Sequence, residues 1–151
     1  MACYHNILVA LDGSRDAEAA LGHAVALARD QHARLTLVTV APLQSQAIGV
    51  GAEAPPDLHD VHEKILRKAS AALPGDVGVT TRIERGDPAE AILRLTAGEE
   101  FDLVVMGSHG HGRMHRALIG SVSEKVLRSS RVPVLLMRGD SEPEAETSAP
   151  A

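Results

Sequence analysis

Apolar residues along this chain alternate between two patterns, and the alternation predicts the fold class. Asn6-Ile-Leu-Val-Ala-Leu11 is a short apolar run closed by Asp12-Gly13-Ser14, which predicts a buried strand and a turn. From Ser14 to Asp30 the apolar positions fall at Ala17, Ala20, Leu21, Ala24, Val25 and Ala28, the spacing of a helix, with Ser14 suited to cap its start. Arg34-Leu-Thr-Leu-Val-Thr-Val40 is a second strand, rich in β-branched residues. Pro42 to Pro56 has no period and predicts a loop or lid. Helical spacing returns from Asp57 to Leu73 through Leu58, Val61, Ile65, Leu66 and Ala69, and Pro74-Gly75 stops it. Gly78 to Glu84 is a third strand.

Asp87-Pro88-Ala89-Glu90 is a helix start built from three reinforcing choices: a capping carboxylate, proline at the first position and a carboxylate at the third. That helix runs to about Ala97, and a fourth strand follows over Leu103 to Met106. Ser121 to Ser130 is the last helix and Val132 to Met137 the fifth strand. Strands that are apolar on both faces, alternating with helices, imply a doubly wound α/β domain: a parallel sheet with helices on both sides. Ligands of such sheets bind beyond the carboxyl ends of the strands, where the winding direction reverses. The two most polar strand ends are Asp12-Gly-Ser and Gly107-Ser-His-Gly. Residues 139–151 are Gly, Asp, Ser, Glu, Pro, Thr and Ala, an acidic tail expected to be disordered for want of apolar surface.

Composition narrows the function. At 151 residues, 44% of them hydrophobic, the chain suits one self-sufficient domain. Tyr4 and Phe101 are its only aromatic residues, so stacking platforms for single-stranded nucleic acid are missing. A formal net charge of −5 is also wrong for a phosphate backbone, and nucleic acid is not expected as a partner. The lone cysteine, Cys3, excludes an internal disulfide and a cysteine-based zinc cage. No stretch approaches the roughly 18–20 apolar residues that span a bilayer, and Met-Ala-Cys-Tyr-His is not a signal sequence. A cytoplasmic protein without membrane contact is expected.

Chemistry concentrates between Gly107 and Ser121, which reads Gly-Ser-His-Gly-His-Gly-Arg-Met-His-Arg-Ala-Leu-Ile-Gly-Ser. A strand running into a glycine-rich, basic loop and then a helix suits a phosphate, because bare backbone amides and a helix start both favour an anion. Gly107, Gly110 and Gly120 would let the backbone curl around a polyphosphate, Ser121 has a hydroxyl and an amide to donate, and Arg113 and Arg116 add charge. The spacing is neither a Walker A loop nor a full dinucleotide fingerprint. A plainer reading stands beside it: Ser121-Val-Ser-Glu124 is also a capping box, and Gly107 can simply end a strand.

Asp12 suits a ribose hydroxyl or a metal carried on phosphates, and equally an Asx turn with Gly13. Val40 could offer its backbone to an adenine ring, or be a core residue. His109, His111 and His115 cluster without a fourth ligand at a defined spacing, so no metal site is assigned to them. His59 and His62 lie at i and i+3 and read as an exposed helix face. No arrangement for nucleophilic catalysis stands out, and no catalytic residue is assigned.

With Gly107, Gly110, Gly120 and Ser121 in the pattern Gly-x-x-Gly-x9-Gly-Ser, the chain resembles the universal stress protein family, in its nucleotide-binding subgroup. Asp102-Leu-Val-Val-Met-Gly before this motif, Val122-Ser-Glu-Lys-Val-Leu after it, Pro133-Val-Leu-Leu-Met-Arg138 and Ile7-Leu-Val-Ala-Leu-Asp-Gly-Ser14 carry the same likeness. The resemblance covers about residues 4–138 and delimits a domain over 1–138. It implies a five-stranded parallel sheet of order 3-2-1-4-5, a homodimer formed through the last strand (132–138), and one ATP per protomer, usually with magnesium or manganese. Asp12 and Val40 would serve the adenosine end, Met106 and Gly107 would line the pocket, and Gly110, Gly120, Ser121, Val122 and Ser123 would hold ribose and phosphates. One position departs: the residue after Gly110, often Arg in the family, is His111, followed by Gly112.

The implied function is a regulatory, stress-response dimer with little or no turnover, recognised by a downstream protein. Two alternatives are an ATP-hydrolysing or ATP-pyrophosphatase-like enzyme of the related adenosine-nucleotide superfamily and a nucleotide-free dimeric scaffold. The paired glycines of a Ser-Gly-Gly-x-Asp-Ser loop are missing from Leu-Asp-Gly-Ser-Arg-Asp16, which counts against the enzyme.

Overall fold

A computed structural model describes residues 3–43, 58–98, 100–109 and 119–139. Chain order is β1 (Asn6–Ala10), α1 (Arg15–Gln31), β2 (Arg34–Ala41), α2 (Leu58–Ala71), β3 (Val79–Arg85), α3 (Pro88–Thr96), β4 (Leu103–Gly107), α4 (Ser121–Ser129) and β5 (Val134–Met137). Every predicted element is present, with ends displaced by one or two residues. The expected lid at 42–56, apart from Pro42 and Leu43, lies outside the described residues; so do residues 110–118 of the glycine loop and the tail from Asp140.

The five strands form one sheet in the order β3-β2-β1-β4-β5, as expected. All four pairings are parallel; Leu8, for example, sits opposite Thr36 on one side and Val104 on the other. Strand alternation divides the core in two. Ile7, Val9, Leu35, Leu37, Leu103 and Val105 face α1 and α2, while Leu8, Val38, Val104 and Met106 face α3 and α4. Ile7, Leu8 and Val9 are fully buried, which is why β1 is apolar without interruption. The buried stripe of α1 is Ala17, Ala20, Leu21, Ala24 and Ala28, so this helix meets the sheet mostly through methyl groups.

Capping fixes where two helices begin. The Ser14 Oγ accepts from the Ala17 amide at 3.2 Å, and the Asp87 Oδ2 from the Glu90 amide at 3.0 Å, with Pro88 at the first turn. The sheet edge at β5 is only half-buried along Val134–Met137. No helix among the described residues is long and apolar enough to cross a membrane.

Candidate functional site

The winding reverses beside β1: α1 leads to β2 on one side, while β4 pairs on the other. At or just beyond the carboxyl ends of β1, β2 and β4 lie several of the described residues that the sequence singles out. Asp12 follows β1 and its Oδ1 accepts from the Ser14 amide at 2.9 Å, an Asx turn made possible by Gly13 at φ 85°. The turn holds the carboxylate at the strand end and also sets up the Ser14 cap. Val40 is half-buried in β2, paired with Glu84 of β3. Met106 is buried against α3 and α4.

Gly107 has a structural reason to be glycine. A Cβ there would lie 2.7 Å from the Asp16 Cβ and 2.8 Å from the Ala17 amide nitrogen, so the first turn of α1 occupies the space a side chain would need. Close backbone approach is required, and the group approached is a helix of the same chain. The ends of the glycine loop are then stitched to one another. The Gly120 amide donates to the Ser108 carbonyl at 2.6 Å, and the Ser123 Oγ donates to the Gly107 carbonyl at 2.7 Å. The Ser108 amide donates to the Met137 carbonyl at 2.8 Å, tying the loop to the end of β5.

Helix α4 begins differently from the capping box in the sequence. Its N-cap is Gly120, not Ser121, and among the described residues no side chain caps it. Ser121 is displaced inward by one position because Gly120 is the residue held by Ser108. The amides of Ser121, Val122 and Ser123 form the first turn, where an α-helix supplies no acceptor of its own. Ser121 is exposed, Val122 half-buried and Ser123 buried. A start of this kind carries partial positive charge and suits an anion. Gly110, His111 and His115 lie outside the described residues. Among the described residues no group of three or more His, Cys, Asp or Glu side chains is gathered as for a metal.

Two features were missed in the sequence. Asp16, in the first turn of α1, accepts from the Ser108 Oγ at 3.0 Å, the His109 amide at 3.0 Å and the Gly139 amide at 2.7 Å. Burial alone would raise its pKa; the hydrogen bonds from Gly139, Ser108 and His109 outweigh burial and hold it below the ordinary carboxylate value. The His109 Nδ1 lies 3.2 Å from the Ser108 Oγ and 3.4 Å from the Asp16 Oδ2. Ser, His and Asp therefore meet, but the serine hydroxyl is buried and donates to the carboxylate, so the cluster holds structure and makes no nucleophile.

His62 is the second feature, and it corrects the expectation of an exposed helix face. Its Nδ1 is 2.7 Å from the Oγ1 of Thr39, a buried residue beside Val40. The polar Thr39 side chain needs a partner inside the sheet's helix layer, and α2 supplies it. Burial, and after it the neighbouring His59, lowers the His62 pKa.

The sheet order and the polar cluster at its reversal point define a doubly wound α/β protein with its candidate site between β1 and β4. The family model for universal stress proteins matches residues 4–138, and the chain belongs to the universal stress protein family. A universal stress protein of Staphylococcus haemolyticus is 33% identical over 149 residues, 95% of this chain and 90% of that relative. A family member from Burkholderia pseudomallei superposes with a TM-score of 0.71 at 33% identity, over 89% of this chain and 96% of that one. A universal stress protein solved in complex with cAMP superposes with a TM-score of 0.68 at 26% identity, over 92% of this chain and all (100%) of that chain.

Proposed function

We propose that this universal stress protein binds an adenine nucleotide, ATP, at the carboxyl ends of β1, β2 and β4. In this reading the occupied protein acts as a cytoplasmic regulatory homodimer with little or no turnover. The observation that carries the reading is the start of α4. Ser121, Val122 and Ser123 present first-turn amides that no side chain caps among the described residues, at the serine of the Gly-x-x-Gly-x9-Gly-Ser pattern and beside the switch point.

The donors fit a polyanion. Ser121, Val122 and Ser123 would take phosphate with their amides, and Gly110 would bring the loop backbone onto it. Gly120 acts by position, since its own amide is taken by Ser108. Asp12 and Val40 would receive the ribose and adenine, with Met106 and Gly107 beneath them. A magnesium or manganese ion would arrive on the phosphates, which supply much of its coordination, and Asp12 is the carboxylate at that strand end. Bound there, the cation would neutralise phosphate charge. The relative solved with cAMP is in line with an adenine nucleotide.

Edge strand β5, half-buried along Val134–Met137, supports pairing of two copies through residues 132–138, since an unpaired edge recruits another strand. The downstream protein would read the nucleotide-loaded dimer. A nucleotide-free scaffold is the second reading, favoured by Gly107 and Gly120, which already have partners inside the chain.

Denaturing freshly purified protein and identifying the released small molecule decides between the two. Stoichiometric adenine nucleotide is expected, and Gly110→Ala should lose it while staying folded. No nucleotide, together with no binding of added ATP and magnesium, would leave the scaffold.

A further inference from the structure

The first turn of α1 is wedged between the carboxyl ends of β4 and β5. Gly107 meets the backbone of Asp16 and Ala17, and a Cβ on Gly139 would lie 2.8 Å from the Arg15 carbonyl oxygen. Both strand ends therefore pack against one short piece of helix, and both must be glycine there. Into the same place Asp16 sends its carboxylate. Its Oδ2 takes the Ser108 hydroxyl and the His109 amide, and its Oδ1 takes the Gly139 amide. From Ser108 the chain of contacts continues: its carbonyl accepts the Gly120 amide at 2.6 Å, and Gly120 is the residue that starts α4.

We propose that Asp16 is a positioning residue for the phosphate end of the site, setting the start of α4 through Ser108 and Gly120 without touching the ligand. The proposal rests on the nucleotide reading above. A carboxylate is the group required, because donors approach both of its oxygens and neither oxygen has a proton to offer in return. Asparagine has the same shape but would turn an NH2 group toward the Gly139 amide or toward Ser108 and His109. Whichever side it chooses, a donor faces a donor and the strand ends must shift. The hydrogen bonds also keep Asp16 ionised throughout the neutral range, so no proton change enters the comparison.

The effect expected is selective. Val40 lies on β2, outside the Asp16–Ser108–Gly120 chain of contacts, so adenosine alone should hardly sense the change. The test is calorimetric titration of wild type and Asp16→Asn with ATP and magnesium, and separately with adenosine, alongside amide hydrogen exchange. Asp16→Asn should weaken ATP on the order of tenfold and adenosine less than about twofold, with faster exchange at His109 and Gly139. A merely structural role would lower thermal stability and leave the affinities of the folded protein alone.

Equal ATP affinity in the two proteins, or equal weakening toward ATP and adenosine, overturns the positioning role while the nucleotide reading stands. A wild type that binds no ATP overturns both. Should Asp16→Asn not fold, Ser108→Ala removes the hydroxyl bond between Asp16 and Ser108 and should shift the ATP-to-adenosine ratio in the same direction; an unchanged ratio there also overturns the proposal.

Discussion

Helices α3 and α4 lie on the same face of the sheet and begin in opposite ways. At α3 the Asp87 side chain takes the Glu90 amide, Pro88 removes another donor, and the helix start is satisfied from within. At α4 a glycine stands at the cap, no side chain among the described residues caps the first turn, and Gly120 itself is held from outside by Ser108. Capping stabilises a helix and also uses up its anion-attracting end. In the nucleotide reading proposed above, α4 keeps its start open to phosphate, and its position is fixed by other bonds, which run through Ser108, Ser123 and Asp16.

Placing an acid at the α4 cap should break this contrast most severely. Gly120→Asp would cap the first turn and put negative charge where phosphate is proposed, weakening ATP on the order of 100-fold while leaving the fold intact. Calorimetry checks it, and undiminished affinity would move the anion elsewhere. Next in size is Gly107→Ala. A methyl group 2.7 Å from the Asp16 Cβ forces α1 away from β4, for a loss of about 2 kcal/mol and a melting temperature lower by about 6 °C. An unaffected melting temperature would mean that α1 is not held so tightly.

Asp87→Ala sharpens the contrast from the other side. Losing the α3 cap should cost about 1 kcal/mol, about 3 °C in melting temperature, with no change in ATP affinity. A nucleotide effect there would show that the two helix starts are not independent.

The smallest effect expected is a pH dependence at His62. Burial, then His59, disfavours the charged ring, so the folded protein takes up this proton at lower pH than the unfolded chain does. The His62 contribution is complete above the unfolded value of about 6.5 and is lost as pH falls toward the lower folded value. Melting temperature should therefore drop less between about pH 7.5 and pH 5.5 in His62→Gln than in wild type. Parallel curves for the two proteins would remove His62 from that role.

The fold was legible because its signals are local. Continuous apolar runs such as Ile7-Leu-Val9 and the alanine stripe of α1 each point to one element, and parallel pairing follows from strands buried on both faces, while the strand order rests on the family resemblance. Asp87 and Ser14 were recognisable caps for the same reason. The site was legible in its boundaries, since glycines and a serine at a strand end mark it, but not in its internal wiring. Asp16 looks like any acidic residue in a first helical turn; its partners lie 92, 93 and 123 positions away, beyond any sequence period. Gly107 stands out for its bare backbone, yet nothing in the sequence says whether a ligand or a helix comes close to it. The α4 cap is Gly120 and not Ser121 because a tertiary bond from the Gly120 amide to the Ser108 carbonyl overrides the local capping box. His62 misled because its spacing with His59 suggests a solvated face, while its partner Thr39 lies on a strand.

Amide chemical shifts read residue by residue during an ATP–magnesium titration measure the claim at its source. Saturable shifts are expected at Ser121 and Val122, with the Glu90 amide in the capped start of α3 unmoved. Millimolar ATP that leaves Ser121 and Val122 where they were in a folded sample would contradict it.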